Sequence, residues 1–257
     1  MTQIVNFAII PFIGYGVSLL FFRQHPSLVL GFLLVALLPT SGGMTISWTG
    51  LARGNIQAAV KMTVIGLLLG TLCTPLYLKV LMGKTVAIPF SQVGQAILLI
   101  VFLPLLLGQL TRVLVLKHVG EQIFTTRIKP LLPAGSTWGL IGIIFVAMAL
   151  KAQTLVKSPA LIIRMAVPLI LFYLLTYLVA SFVGRFCLSR EDAIALVYGT
   201  ALRSLSIALV LAITVFKDQG AEMGLLVALA YIVQIQSATW YARLSKRIFR
   251  GTTEKVS

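Results

Sequence analysis

The segment Pro39-Thr40-Ser41-Gly42-Gly43 interrupts an apolar run that extends from Leu28 to Trp48. A second segment, Gly199-Thr200-Ala201-Leu202-Arg203-Ser204-Leu205-Ser206, interrupts the run from Ala193 to Phe216. Runs of this length are expected to cross a bilayer, where unwound backbone survives only if protein or a water-filled cavity satisfies its amides and carbonyls. Matched interruptions in the two halves of a chain are typical of the binding site of a secondary transporter.

Composition agrees with a membrane protein. Of the 257 residues, 59% are hydrophobic and 11% are charged, and the mean hydropathy is +1.02. Eight apolar runs are long enough to span a membrane as helices. They are Ile4–Phe22, Leu28–Trp48, Ile56–Met82, Val93–Leu116, Leu131–Leu150, Ala160–Phe186, Ala193–Phe216 and Ala221–Ala242. The sequence therefore predicts an all-α integral membrane protein with about eight transmembrane helices, forming a single transporter domain over 1-257.

The distribution of basic residues predicts the orientation of the chain. A formal net charge of +15 would suggest nucleic acid as a partner of a soluble protein, but here the charges alternate with the apolar runs. Twelve lysines and arginines fall on the side that holds both termini and seven on the other side, with Lys61 and Arg203 inside spans. The positive-inside rule places the richer side in the cytoplasm. We expect a multi-pass inner-membrane protein with both termini cytoplasmic, the lipid bilayer as its surroundings and no nucleic-acid partner.

The order of the spans predicts an inverted repeat. Each interrupted run is followed by one further span, and the two interrupted runs point in opposite directions across the membrane. Residues 1-92 form an incomplete first repeat with three spans, and residues 93-257 form a second repeat with five. We expect the breaks to unwind near Gly42 and Ser204 and to cross antiparallel. Because the first repeat has two spans fewer than the second, we expect two helices to be missing at its start. We also expect an exposed groove beside the first three spans, which a helix-completing partner could fill.

Arg203 is the most informative single residue, because a guanidinium near mid-membrane is costly unless it faces a cavity or a partner. None of the six acidic residues falls in the middle of a span. Arg203 therefore faces either backbone carbonyls at the broken ends or a bound anion, and a purely structural cation that ties the crossing together is the competing interpretation. Hydroxyls and freed amides beside it suit an anionic substrate, although serine and threonine often bond only their own helix. The candidate substrate-binding residues are Ser41, Gly42, Gly43, Thr45, Ser47, Thr200, Arg203, Ser204 and Ser206.

Enzyme chemistry is not predicted. The sequence has no Ser/His/Asp spacing, no HExxH, no phosphate-binding loop and no paired carboxylates within an apolar run. We expect neither a metal site nor a cofactor.

The first break and its continuation resemble a known family. The stretch Pro39–Gly43, then Trp48-Thr49-Gly50-Leu51-Ala52-Arg53-Gly54-Asn55, then Ala58 through Thr74-Pro75-Leu76, is similar to the bile acid/sodium symporter superfamily, whose relatives include the arsenite efflux carriers. The resemblance implies two inverted five-helix repeats with crossed broken helices, divided into a core and a panel domain. This chain would match helices three to ten and lack the first two.

Departures from that family shape the expected function. Sodium-coupled members carry Glu, Gln and Asn where this chain has Gly199, Arg203 and Ser204, and arsenite carriers have a cysteine in the first break, where this chain has Ser41. We therefore expect a carrier of a small organic anion that works by alternating access without sodium coupling. The alternatives are a sodium-coupled bile-acid-type symporter, an arsenite-type efflux carrier or, in another class, a non-transporting truncated homologue that acts as a scaffold or accessory subunit.

Overall fold

The computed structural model describes residues 1–83, 90–132, 159–216 and 219–249, together with isolated positions between 135 and 149. The predicted fifth span, Leu131–Leu150, lies almost entirely outside these ranges. The described residues are almost all helical and contain no β-strand. The main helices are α1 (Thr2–Phe22), α2 (Pro26–Leu37), α3 (Gly42–Leu51), α4 (Ile56–Met82), α5 (Phe90–Val119), α6 (Pro159–Cys187), α7 (Arg190–Ala201), α8 (Leu205–Thr214) and α9 (Gly220–Ile248).

Five of these helices, α1, α4, α5, α6 and α9, are long and apolar enough to cross a membrane. The two predicted interrupted spans each consist of two shorter helices, α2 with α3 and α7 with α8. Between α5 and the isolated positions, the linker predicted from the sequence forms three short helical segments, Glu121–Ile123, Phe124–Ile128 and Lys129–Leu131. The structure thus agrees with an all-α membrane protein, while the count of eight spans and the inverted repeat stay predictions.

Both breaks are shorter than the sequence suggested. Only residues 38–41 separate α2 from α3, so that Gly42 and Gly43 form the first turn of α3 instead of lying in unwound chain. Only residues 202–204 separate α7 from α8, so that Thr200 and Ser206 are helical. Each residue that leaves a helix in the membrane loses a backbone hydrogen bond, which favours the shortest unwound segment that still allows the two breaks to meet.

Helix α1 contains a turn of π-helix at Val5–Ile9. Pro11 follows this turn and has no N–H to donate to the carbonyl of Phe7. The hydroxyl of Tyr77 in α4 donates to the Phe7 carbonyl instead. Irregular turns of this kind occur often at functional sites, and this one carries Asn6, which is buried beneath the helix breaks.

The buried core lies around α2, α7 and α9. Nearly every residue of α2 is buried, and the whole of α7 from Ala193 onward is buried. By contrast, only 6% of the most apolar 18-residue window of α5 is buried, and this helix packs against α4 and α8. The described residues therefore form a packed helical core, which contains both breaks, and a peripheral apolar helix.

Candidate substrate site at the helix breaks

The two unwound segments pair with each other. Thr40 and Arg203 form an isolated antiparallel β-bridge. The Ser41 N–H donates to the Leu202 carbonyl at 2.8 Å, and the Ser204 N–H donates to the Pro39 carbonyl at 2.9 Å. The predicted antiparallel meeting of the two breaks is confirmed, and this pairing satisfies backbone groups that lipid could not.

Side chains also bond one carbonyl near the end of α2 and one near the end of α7. Thr74 of α4 donates to the Leu37 carbonyl at 3.0 Å. The Gly199 carbonyl accepts from the Thr40 hydroxyl at 2.6 Å and from the Asn6 amide at 3.1 Å. The Thr40 bond joins the first break to the end of α7, and the Thr74 bond joins α2 to α4.

Arg203 is 1% exposed. Its Nη1 donates to the Leu38 carbonyl at 3.2 Å and its Nη2 donates to Asn6 Oδ1 at 3.3 Å, while its Nε has no partner among the described residues. No carboxylate contacts the guanidinium in the described part of the chain. The sequence predicted that Arg203 faces either backbone carbonyls at the broken ends or a bound anion. In the structure the guanidinium bonds one such carbonyl, that of Leu38, and the neutral amide of Asn6.

Gln234 of α9 clamps the backbone of Arg203. Its Oε1 accepts from the Arg203 N–H at 2.9 Å, and its Nε2 donates to the Arg203 carbonyl at 3.2 Å. The Tyr173 hydroxyl of α6 also donates to Oε1, at 2.9 Å. Because a backbone N–H can only donate, these contacts fix which end of the amide carries the oxygen. The second break is therefore held between the first break on one side and α9 on the other.

The remaining candidate residues divide by exposure. Gly43 and Ser47 are exposed, Ser41, Gly42, Ser204 and Ser206 are half-buried, and Thr45 and Thr200 are buried. Neither Ser41 nor Ser204 caps the helix that follows it with its side chain, and the space beside Gly43 is open. The start of α3 thus presents uncapped amides to an accessible space, and no bond of the Ser41 or Ser204 hydroxyl is seen within the described residues. The helix macrodipole makes such a terminus attractive to anions.

The buried threonines have a different role. Thr45 Oγ1 donates to the Tyr198 carbonyl at 3.4 Å, which joins α3 to α7. Thr200 Oγ1 is buried, and no group in the described part of the chain bonds it. The candidate set therefore separates into an accessible group at the start of α3 and α8 and a buried group behind it that includes Arg203.

Gly199 occupies the position that the family resemblance aligns with a carboxylate. A Cβ atom there would lie 2.2 Å from the sulfur of Met62 and 3.4 Å from Cγ2 of Thr2. A contact of 2.2 Å is far inside van der Waals separation, so any side chain at this position would have to displace the α4 methionine. The space that a carboxylate would need is filled by an apolar thioether.

The segment Leu51-Ala52-Arg53-Gly54-Asn55 connects the site to α4 on the side predicted to be cytoplasmic. Asn55 Oδ1 accepts from the Ala58 N–H at 3.0 Å and caps α4, and Asn55 Nδ2 donates to Asp192 of α7 at 2.8 Å. A Cβ atom on Gly54 would lie 2.6 Å from Ile194, so glycine is needed for the close approach of α7. The motif therefore links the two broken helices a second time, away from the crossing.

Asn6 is the most central of the site residues that were not predicted from the sequence; Thr74 and Tyr173 are others. Asn6 contacts both breaks and the end of α7, but it precedes the first break by more than thirty residues and belongs to no motif. The available signal was a polar side chain inside the first apolar run, five residues before a proline. A buried amide in a span usually has a partner, but the residues near Asn6 in the sequence do not show which distant residue that partner is.

The sequence profile of the SBF-like CPA transporter family matches residues 1–247. The chain belongs to this family. It is 24% identical over 212 residues to the uncharacterized protein YbaS of Bacillus subtilis, covering 82% of this chain and 67% of YbaS. It is 24% identical over 187 residues to the arsenical-resistance protein Acr3 of Corynebacterium glutamicum, covering 67% of this chain and 49% of Acr3.

An 85-residue stretch, 33% of this chain, is 32% identical to the sodium/bile acid cotransporter 7 of Danio rerio and covers 25% of that protein. The chain spans from a quarter to two thirds of the length of these relatives. The resemblance to the bile acid/sodium symporter superfamily is confirmed, and the protein is a multi-pass membrane protein of a transporter family.

Proposed function

We propose that the protein is a secondary transporter, which carries a small organic anion by alternating access and is not coupled to sodium. The observation that carries this proposal is the Arg203 guanidinium at the meeting point of the breaks, bonded to a carbonyl and an amide and to no carboxylate among the described residues. A buried cation without an acidic partner favours anions nearby, because charge is weakly screened away from water.

Two features argue against a sodium ion at the breaks. A sodium site needs oxygen ligands, and the Leu38 carbonyl already accepts from Arg203. The space beside Gly199 is filled by Met62, so no carboxylate can be supplied there. Two unit charges about 4 Å apart repel by roughly 4 kcal/mol at an effective dielectric near 20. That repulsion would lower the affinity for sodium by about 1000-fold.

The substrate would bind at the accessible group, where Gly42 and Gly43 begin α3 and where Ser41 and Ser204 directly precede α3 and α8. Uncapped amides and serine hydroxyls would orient an anionic group, and Ser206 and Ser47 would extend the polar surface. Arg203 would act from behind this layer through its charge. Thr45 and Thr200 would support the backbone behind this accessible group.

Alternating access would follow from movement of the peripheral helices against the packed core. In this proposal the core comprises an inverted repeat around the paired breaks, which stay together while the site is exposed to each side in turn. The protein would reside in the inner membrane with both termini in the cytoplasm, where the excess of basic residues belongs.

The experiment is uptake by the purified full chain in proteoliposomes. Organic anions would first be screened by thermal shift in potassium buffer, and those that stabilise the protein would be tested for uptake with and without sodium at a clamped membrane potential. We expect saturable uptake that does not change with sodium. Uptake that rises steeply with external sodium would favour a sodium-coupled symporter, and uptake of arsenite alone would favour an Acr3-like carrier.

A second candidate, an accessory subunit that does not transport by itself, is favoured by the largely unburied α5 helix, which leaves a long apolar surface for lipid or for a helix-completing partner. This candidate predicts no uptake by the purified chain and recovery of uptake when a co-purified membrane subunit is included. Saturable uptake by the chain alone would exclude it.

A further inference from the structure

Asn6 has every polar atom of its side chain engaged in a site to which no motif assigns it. It is 1% exposed. Its Nδ2 donates to the Gly199 carbonyl at 3.1 Å and to Thr40 Oγ1 at 3.3 Å, and its Oδ1 accepts from Arg203 at 3.3 Å. One amide from α1 thus joins the first break, the end of α7 and the second break.

An amide suits this set of partners, because its donor and its acceptor are separate atoms. The Gly199 carbonyl needs a donor, and the guanidinium of Arg203 needs an acceptor, so the side chain must supply both. A carboxylate would accept from Arg203 but could not donate to the carbonyl, and it would also cancel most of the positive charge. An apolar residue would neither accept from Arg203 nor donate to the Gly199 carbonyl.

We propose that Asn6 is a positioning residue for substrate charge. It holds the Arg203 guanidinium at the helix breaks without neutralising it, which leaves the positive charge available to an anion at the start of α3. This inference rests on the proposed function, because it assumes that an anion binds near the breaks. It extends that function by naming the residue that keeps the site selective for negative charge.

The expected size of the effect follows from Coulomb attraction. An anion about 8 Å from the guanidinium, at an effective dielectric near 20, would bind roughly 30-fold more tightly than an uncharged analogue of the same shape. A carboxylate at position 6, in contact with Arg203, would remove most of that advantage. It would leave the affinity for the uncharged analogue nearly unchanged.

The test compares Asn6→Asp with Asn6→Leu in the full chain, reconstituted in lipid nanodiscs. The probes are the potassium salts of benzoate, cholate and taurocholate, with benzamide as the uncharged analogue of benzoate. Both variants lose the hydrogen bonds that Asn6 donates, but only Asn6→Asp adds a negative charge. We expect Asn6→Asp to weaken anion binding about 30-fold relative to Asn6→Leu, with equal effects of the two changes on benzamide.

A second pair keeps the test decisive if Asn6→Asp does not fold. Gln3 lies one turn earlier in α1, donates to the Met62 carbonyl at 2.7 Å, and has a buried Oε1 without a partner. Gln3→Glu adds charge near the same polar cluster and leaves all Asn6 hydrogen bonds in place, with Gln3→Leu as its control. We expect a loss of anion affinity in the same direction and smaller in size.

The outcomes separate the two proposals. If the unaltered protein binds none of the three anions, the proposed function fails and this inference fails with it. If the unaltered protein binds an anion but the aspartate and leucine variants weaken it equally, Asn6 is only structural and this inference alone is overturned. Equal affinities in the Gln3 pair would overturn it in the same way.

Discussion

Replacement of Arg203 is the strongest test of the site. In Arg203→Gln the shorter neutral side chain cannot reach both the Leu38 carbonyl and the Asn6 amide, which now accept from the guanidinium. Each buried acceptor left without a donor costs about 1–3 kcal/mol, so we expect a lower melting temperature. Arg203→Lys keeps the charge but not the two-pronged geometry, so it separates the effect of charge from the effect of hydrogen bonding.

The effect on anion binding comes from the lost charge. For an anion about 8 Å away at an effective dielectric near 20, the attraction is about 2 kcal/mol, which corresponds to roughly 30-fold in affinity. We expect Arg203→Gln to lose at least this much, and Arg203→Lys to retain most of the affinity despite its lower stability. Arg203→Gln should not become sodium-dependent, since Gly199 still supplies no carboxylate.

The assay is uptake of the tightest-binding anion into proteoliposomes, with potassium and valinomycin holding the membrane potential constant. Thermal melting of the same preparations shows whether each variant is folded. Two results would refute the reasoning: equal anion affinity in the glutamine variant and the unaltered protein, or uptake by the unaltered protein that rises steeply with sodium.

Three further changes test the packing around the site. Gly199→Ala places a Cβ on the sulfur of Met62, but the flexible end of a methionine can move aside and alanine is the better helix former by about 1 kcal/mol, so we expect a melting temperature close to that of the unaltered protein. In the Met62→Ala background, where the contact is absent, the same change should raise the melting temperature; equal shifts in the two backgrounds would contradict the contact. Asn55→Ala should lower the free energy of unfolding by about 1 kcal/mol through the lost helix cap, and further through the lost hydrogen bond to Asp192 of α7. We expect a lower melting temperature, and an unchanged one would argue against this hydrogen bond as a stabilising contact. Gln234→Leu should accelerate amide hydrogen exchange in the second break, since the hydrogen bond from the Arg203 N–H to Gln234 is lost. The control is Gln236→Leu, which changes an exposed glutamine of the same helix. Equal exchange rates in the two variants would show that Gln234 does not protect the break.

The sequence predicted the positions of the long helices and the meeting of the two breaks better than it predicted how many residues each break contains. The bounds of α4, Ile56–Met82, match the predicted run, because hydropathy and the Asn55 cap mark both a span and its start. Gly42 was expected in unwound chain but begins a helix. Glycine permits both states, and the choice depends on the pairing of Ser41 with the second break, which is a tertiary contact.

The contents of the site were less predictable than its position. Arg203 stood out because a charge within an apolar run is rare, and its lack of an acidic neighbour was visible in the sequence. Its actual partners, the Leu38 carbonyl and Asn6, come from two segments more than 160 residues away. The filling of the Gly199 space by Met62 is likewise a property of packing between α4 and α7, which no local pattern encodes.

The polarity of the four half-helices explains how a cation can be held here without an acid. Helices α2 and α7 end at the breaks, and a helix C-terminus carries roughly half a negative charge. Two such ends converge on Arg203, through the Leu38 carbonyl directly and through the Gly199 carbonyl by way of Asn6. These partial charges stabilise the buried guanidinium without adding a formal negative charge, so a cation belongs at the C-terminal ends.

Helices α3 and α8 begin on the other side of the same breaks, and their N-terminal ends carry the opposite partial charge. In a site of this polarity, a bound sodium ion and the guanidinium of Arg203 would compete for the same carbonyl ends, whereas an anion would be drawn to the start of α3. Because Arg203 is covalently attached, its charge cannot leave with the substrate. A carrier built this way has no exchangeable cation at the breaks, and this is the physical basis for expecting its transport to be independent of sodium.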